Sequence, residues 1–319
     1  MVSESLWLIG AGPMAQACAS ALLELSVPFS VIGRSSSSAA AFTESVGVPV
    51  LTGGLEHTLN RQTAPEQVIV AVGVEALAAT AQLLLEAGTR RLLIEKPGAL
   101  NLAELQQLQT LAQQMDAEVW IAYNRRFYAS VLKLRELITA DGGITSASFE
   151  FTEWSHQIRD LQKGPGVKEH WLLGNSSHVI DLAFDLIGFP AEGNWHAWHS
   201  GSLDWHPAAA RFHGAGITEK NIPFSYQADW EAPGRWGIEL LTRRNRYLLR
   251  PLESLQAIPL GKLAAETIDI DSELDQRFKP GVFRQLEAFI TGDIKLLCSL
   301  SEQVGAFRIY NRIAGYSNK

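Results

Sequence analysis

The 319-residue sequence predicts a doubly wound α/β domain with a parallel sheet over residues 1–122, followed by an α+β domain with an open, mostly antiparallel mixed sheet over residues 123–319. Three observations carry this. Short apolar runs alternate with helical stretches as far as Ala122. After Tyr123 that pattern gives way to strands of alternating character. The chain is also longer than a single core of ordinary size organises.

In the first half, Leu6–Ile9, Phe29–Ile32, Val68–Val72, Leu92–Ile94 and Val119–Ile121 are apolar runs of strand length. Helical periodicity fills Met14–Leu25, Glu75–Ala87 and Asn101–Met115. Strands apolar on both faces and separated by helices belong in a parallel sheet covered on both sides. In the second half, Phe127–Thr139 reads as a helix, Gly142-Gly143 as a turn, Ile144–Trp154 as a strand and Asn175–Ile187 as a strong helix. Antiparallel strands are expected between Asn194 and Leu260, among them Ala208–Phe212, Phe224–Trp230, Trp236–Thr242 and Arg246–Leu252. Helices around Val282–Thr291 and Glu302–Ile313 end the series.

Composition narrows the function. The formal net charge of −7 argues against a nucleic-acid partner, which needs a basic face to displace counterions. Cys18 and Cys298 build neither a disulfide framework nor a zinc pair, which fits a reducing compartment. The opening MVSESLWLIGAG lacks the basic and long apolar regions of a secretory signal, and no run approaches the roughly 18 apolar residues of a membrane span. A cytoplasmic location without a membrane partner is expected. His196, His199, His206 and His213 are close in sequence, but strand spacing turns His196 and His199 to opposite faces, and no HExxH accompanies them. No metal site is expected. Trp195, Trp198 and Trp205 read as sheet-face packing or a subunit interface, and Arg243, Arg244, Arg246 and Arg250 as a solvated rim.

The first turn reads Gly10-Ala11-Gly12-Pro13-Met14-Ala15, a GxGxxA between a strand and a helix. Gly10 permits the tight turn, Gly12 lets a pyrophosphate approach the backbone, and Ala15 is small enough for close helix–strand packing. The helix N-terminus offers free N–H groups to the phosphates. This strand–glycine–helix context predicts a Rossmann domain that binds a nicotinamide dinucleotide. After the second strand, an Asp or Glu would bind the ribose hydroxyl of NAD. Here Gly33-Arg34-Ser35-Ser36 follows instead, which suits the 2′-phosphate of NADP. NADP is therefore favoured, with NAD possible. A solvated Arg34, or one stacked on adenine without selecting NADP, is the alternative.

Glu95-Lys96-Pro97 follows the apolar run Leu92–Ile94, Tyr123-Asn124-Arg125-Arg126-Phe127 follows the last parallel strand, and His178-Val-Ile-Asp181 lies on the later helix. With the fingerprint, these motifs resemble the glucose–fructose oxidoreductase, inositol dehydrogenase and MocA-like (Gfo/Idh/MocA) family, in an order that covers nearly the whole chain. The resemblance implies pyridine-nucleotide-dependent oxidation or reduction of a sugar-like substrate in a cleft between the two domains. It also implies association through the outer face of the C-terminal sheet, so a homo-oligomer is expected. Lys96 would lie near the nicotinamide and the reacting oxygen, His178 would face the same oxygen, and the Lys96–Pro97 bond is a candidate cis peptide. Val72, Gly73, Glu95, Pro97 and Asn124 are placed at the cofactor.

Two departures stand out. Many members carry Asp four residues before the histidine, where this chain has Gly174; Asn175 or Asp181 would have to substitute, or the chemistry differs. After the fourth strand, Val72-Gly73-Val74 replaces a Thr-Pro-like turn, so the nicotinamide-side contacts do not carry over.

Hydride transfer needs one group that handles a proton near neutrality, and Lys96 and His178 both qualify. The preferred assignment has His178 transfer the proton while Lys96 polarises the oxygen, with Asp181 orienting the imidazole. Asp181 is three residues from His178 on one helix face, so a structural pair is the alternative. The substrate side is assigned to Arg125, Arg126, Trp154, Lys168, Trp171 and Asn175, with the Arg159–Lys168 loop able to close over the site. Clustered cations suit a carboxylate or phosphate, as in a sugar acid or nucleotide sugar of surface-polysaccharide biosynthesis. A non-catalytic NADP-binding regulator on the same fold is the rival reading, because fold alone does not settle function.

Overall fold

The structure is a computed structural model and describes residues 6–316. The chain divides into two compact units, Met1–Tyr123 with Gln276–Gly305, and Asn124–Asp275 with Ala306–Lys319.

The first unit is built on β1 (Leu6–Ile9), β2 (Phe29–Ile32), β3 (Val50–Leu51), β4 (Gln67–Val70), β5 (Arg91–Glu95) and β6 (Glu118–Ala122), with α1 (Pro13–Glu24), α2 (Ser36–Val46), α3 (Gly54–Leu59), α4 (Leu77–Glu86) and α5 (Leu102–Gln114) between them. The strands run parallel in the order β3-β2-β1-β4-β5-β6, the doubly wound Rossmann arrangement. β1 is buried along its whole length, and α1 packs through small residues, Ala15, Cys18, Ala19 and Ala21, with Leu22. A short strand, Cys298–Ser299, adds antiparallel to the outer edge of β6.

The expected strands and α1, α4 and α5 are present, with ends shifted by a few residues. The segment α2–β3–α3 was not anticipated. α2 buries only Ala39 and Phe42 behind a run of serines, and β3 has two residues, so neither leaves a periodic signal. The expected boundary at 122/123 assigned everything beyond it to the second domain, but Gln276–Gly305 packs in the first unit. Aromatic contact accounts for this return. Phe289, on the helix Val282–Thr291, meets the edge of Trp120 at 5.8 Å, and Arg91 stacks on both rings while donating to the Phe289 carbonyl at 2.8 Å. Buried Gln303 donates to the Pro97 carbonyl at 2.9 Å and to the Tyr123 hydroxyl at 3.1 Å.

The second unit is built on an eight-stranded sheet of β7 (Ser146–Glu150), β8 (Pro190–Ser200), β9 (Arg211–Thr218), β10 (Pro223–Asp229), β11 (Gly237–Leu241), β12 (Asn245–Leu249), β13 (Gln256–Pro259) and β14 (Glu266–Thr267). The order is β14-β13-β12-β11-β7-β10-β9-β8; β7 and β10 pair in parallel and the other described pairings are antiparallel. The mixed, mostly antiparallel sheet expected from the sequence is thus present. The strand expected at 208–212 begins later, at Arg211, and the long edge strand β8 was not resolved from its neighbours in the sequence.

The helices of this unit include α6 (Ala129–Ala140), α7 (Ser155–Ile158), α8 (Ser177–Ile187) and, from Ala306, the end of the helix Leu300–Ala314. α8 is buried around nearly its whole circumference, and Phe184 packs edge-on against Phe149 and Phe224 at 5.4 and 5.5 Å. A π-helical turn, Leu172–Ser176, precedes it and takes up Asn175 and Ser176, the first two residues of the expected helix. His206, Trp205, Phe212, Trp230 and Tyr316 form an aromatic cluster; His206 shares hydrogen with the Ala209 carbonyl at 2.6 Å and the Tyr316 hydroxyl at 2.6 Å. Trp195 is buried under the Arg312 guanidinium, whereas Trp198 is 57% exposed. Among the described residues, no helix is long and apolar enough to cross a membrane.

Candidate active site

The first unit carries the nucleotide-binding candidates. β1 ends at Gly10, whose φ of +126° suits glycine, and a Cβ there would lie 2.2 Å from the Ala71 carbonyl oxygen. Gly12 caps α1 in extended geometry, and a Cβ at Gly12 would meet no heavy atom within 4 Å. The first position is closed by protein and the second is open, as close approach of a ligand to the backbone requires. Pro13 occupies the first turn of α1, no side chain caps it and no acidic residue stands there, so its N–H groups remain for an anion. Met14 follows, and Ala15 is fully buried against the sheet. These features fit a dinucleotide pyrophosphate.

At the end of β2, Gly33 is confined, since a Cβ would lie 2.9 Å from Val50. Arg34 is exposed, and no described carboxylate lies within ion-pair distance of it. Ser35 caps α2, its hydroxyl accepting from the Ser38 amide at 3.2 Å, so capping already engages that oxygen. Ser36 is exposed in the first turn of α2. Val72 and Gly73 form the turn after β4, leading into a single 3₁₀ turn at Val74–Ala76. Glu95 closes β5, and the Lys96–Pro97 bond is cis. Lys96 is half-buried.

The second unit carries the remaining candidates. His178 is the second residue of α8 and is 7% exposed. Its ring lies 6.2 Å from that of Trp236. Asp181 was expected in the chemistry and Arg126 at the substrate, but these two bind each other. The Arg126 guanidinium donates from Nε and Nη2 to the two Asp181 oxygens at 2.8 and 2.6 Å, and Tyr310 stands 3.5 Å away. Both side chains are almost fully buried, where neither charge is tolerable alone. Arg126 also approaches Asp185 at 3.4 Å, and Asp185 is itself bonded to Arg135.

Arg125 has a different setting. It stacks on Trp236 at 4.8 Å and on Tyr128 at 5.8 Å, with only a long contact to the Asn124 side chain at 3.4 Å. Burial pulls its guanidinium below the ordinary value, and no described carboxylate reaches ion-pair distance. Asn124 is buried in the 3₁₀ turn that opens the unit. Trp171 is buried edge-on against Trp205 at 6.0 Å, a packing role rather than the expected substrate contact. Lys168 Nζ donates to the Arg159 carbonyl at 2.5 Å, tying the two ends of their loop together. Trp154 is 42% exposed and donates to the Gly234 carbonyl at 2.9 Å. It borders a cleft of about 690 Å³ with Glu153, His156, Arg159, Trp205 and Glu231, a size within the range of ligand pockets.

Two residues escaped the sequence reading. Glu153 is buried just beyond β7, and its carboxylate accepts from Asn175 Nδ2 at 2.9 Å, Ser176 Oγ at 2.7 Å and Arg235 at 3.2 Å. Arg235 lies over both Trp154 and Trp236, at 4.9 and 4.7 Å. A signal for Glu153 existed: it shares strand parity with Phe149 and Phe151, so a carboxylate stood at a core-facing position. Arg235 lies in a loop and left none.

Residues 6–123 match the sequence model of the GFO_IDH_MocA family, described as an oxidoreductase family with an NAD-binding Rossmann fold. Over 116 residues, 34% of this chain and 32% of that protein, the chain is 29% identical to the uncharacterized oxidoreductase YdgJ of Escherichia coli K12. The match thus spans about a third of the curated relative. The whole chain has the fold of UDP-N-acetylglucosamine 3-dehydrogenase GnnA from Acidithiobacillus ferrooxidans, with TM-score 0.76, 15% identity, and coverage of 100% and 99% of the two chains. It is equally similar to levoglucosan dehydrogenase in complex with NADH and L-sorbose, with TM-score 0.77, 17% identity, and coverage of 99% and 97%.

Proposed function

We propose that the chain is a nicotinamide-dinucleotide-dependent dehydrogenase or reductase that favours NADP and acts on a CH–OH or C=O group of a sugar-like, polyhydroxylated molecule. The observation that carries the cofactor choice is the end of β2, where an exposed Arg34, with no carboxylate partner among the described residues, stands in place of an acidic residue. A carboxylate there would accept the ribose hydroxyls of NAD and repel a 2′-phosphate; a guanidinium does the reverse.

The dinucleotide supplies the hydride-transfer chemistry when bound. Gly10, Gly12 and the first turn of α1 hold its pyrophosphate. Lys96 polarises the substrate oxygen, and His178 carries the proton. Arg125 supports an anionic group on the substrate, such as a carboxylate or phosphate, because its charge is held by aromatic rings rather than by a carboxylate. The sugar dehydrogenases of like fold support the substrate class, and the UDP-sugar enzyme among them supports a place in surface-sugar biosynthesis. Copies associate through the outer face of the second unit's sheet, where Trp198 and Ile217 are 57% and 44% exposed.

Titration of NADPH and NADH into the purified protein, followed by turnover assays on keto-sugars, sugar acids and UDP-sugars, tests this reading. Tighter NADPH binding with oxidation on at least one substrate is expected. Equal affinity for both cofactors removes the Arg34 argument. Tight binding with no turnover on any class favours a regulator instead.

A further inference from the structure

We propose that Glu153 is a positioning residue: its carboxylate fastens the π-helical turn Leu172–Ser176 and thereby sets the orientation and charge of His178. The proposal rests on the reading of His178 as the proton carrier.

Glu153 is only 1% exposed. A carboxylate in such a place is costly unless it is hydrogen-bonded and paired. Three donors meet that need, and their identity is informative. Asn175 and Ser176 both donate to Oε1, and both belong to the π turn that ends two residues before His178. α8 has no side-chain cap of its own, so its entry direction is held from outside, by a residue three positions beyond β7. π turns are rare and frequently stand at functional sites.

Oε2 has a separate task. It accepts from Arg235, which lies 4.7 Å from the Trp236 ring, the ring that neighbours His178. One carboxylate therefore ties together the turn before the histidine and the cation stacked on its aromatic neighbour. Burial pushes the Glu153 carboxyl up, and Ser176, Arg235 and Asn175 oppose that rise. Four residues before His178 stands Gly174, where an added Cβ would meet no heavy atom within 4 Å. Room for a side chain exists at that place, yet the carboxylate arrives from the segment that follows β7.

The test follows the imidazole C–H signals of the full-length protein across pH, with His178 assigned through His178→Gln. Among the described residues, the charged groups of this unit around His178 include Asp181, bonded to Arg126, and Arg125 and Arg235 on the Trp236 ring. Removing the negative charge of Glu153 leaves these cations unbalanced, so Glu153→Gln is expected to lower the His178 midpoint by about half a unit or more. Moving the carboxylate, in the double variant Glu153→Ala with Gly174→Asp, is expected to restore it. An unchanged midpoint in Glu153→Gln overturns the proposal, as does a double variant that folds but stays at the lowered midpoint. If Glu153→Gln does not fold, Gly174→Asp alone reads the same relationship: a second carboxylate at the turn raises the midpoint, and no rise overturns the proposal. No substrate is used, so failure of turnover on sugars would count against the enzymatic reading and leave this measurement standing.

Discussion

Arg126 and Asp181 meet in a two-pronged ion pair, 2.8 and 2.6 Å long, between side chains that are almost wholly buried. The pair links the turn that opens the second unit to the middle of α8. Both residues are candidates for chemistry in the sequence, and in the structure each is engaged by the other. Asp181→Ala strands the Arg126 charge. It is expected to cost about 3–5 kcal/mol of stability. Urea denaturation monitored by tryptophan fluorescence checks this, and a loss below 1 kcal/mol with abolished turnover would return Asp181 to the chemistry.

The two fingerprint glycines are expected to fail differently. Gly10→Ala drives a Cβ into the Ala71 carbonyl at a positive φ, so the protein should lose stability. Gly12→Val points into open space, so melting should be little changed while dinucleotide affinity falls. Calorimetric titration beside a melting curve separates the two outcomes. Equal melting losses in both variants would contradict an open Gly12.

Arg34→Ala is expected to weaken NADPH binding about tenfold or more, the scale of a lost charge-assisted hydrogen bond, while NADH binding changes little. The ratio of the two dissociation constants is the quantity to measure. A parallel loss for both cofactors would mean that Arg34 stacks on the adenine.

Lys96→Ala and His178→Ala are expected to lower turnover by about 10²–10⁴-fold, the usual share of a positioned proton-transfer group. NADPH affinity should remain largely intact. Stopped-flow reduction with the best substrate of the panel measures both effects, and wild-type rates in either variant would remove that residue from the mechanism.

His206 gives a stability signature in acid. Burial lowers its pKa to about 4, from 6.5 in the unfolded chain. Because the folded value is the depressed one, the unfolded state binds the proton first as pH falls. Stability from this group is complete above about 6.5 and is lost as pH falls toward 4, by roughly 3 kcal/mol at most. His206→Gln should flatten that slope between pH 7 and 4. An identical slope in the variant would place the acid sensitivity elsewhere.

What the sequence made legible is what acts locally. LWLIGAGPMA contains a strand, its turn and a helix start in ten consecutive residues, so all three elements are present, the helix starting one residue earlier than expected, at Pro13. The strands of the second unit were legible in kind because alternation reports one buried face. The site of the second unit was much less so. Arg126 and Asp181 are 55 positions apart, and Glu153 and Ser176 are 23 apart; pairing at such separations leaves no trace in periodicity. A lone sequence shows that Arg126 is an arginine beside another arginine. It does not show that one of them stacks on Trp236 while the other is neutralised in the core. The same reasoning applies to the return of Gln276–Gly305, which depends on Phe289 meeting Trp120.

That return has a practical meaning for anyone cutting or recombining the gene. The nucleotide-binding unit is not one stretch of chain. A fragment stopped after Tyr123 would leave the β6 edge unpaired, bare the Trp120 ring and remove Gln303 from Pro97, next to Lys96. Exchanging this unit with that of a relative therefore means exchanging two separate stretches together, and a swap at the obvious boundary alone would join mismatched halves of one core.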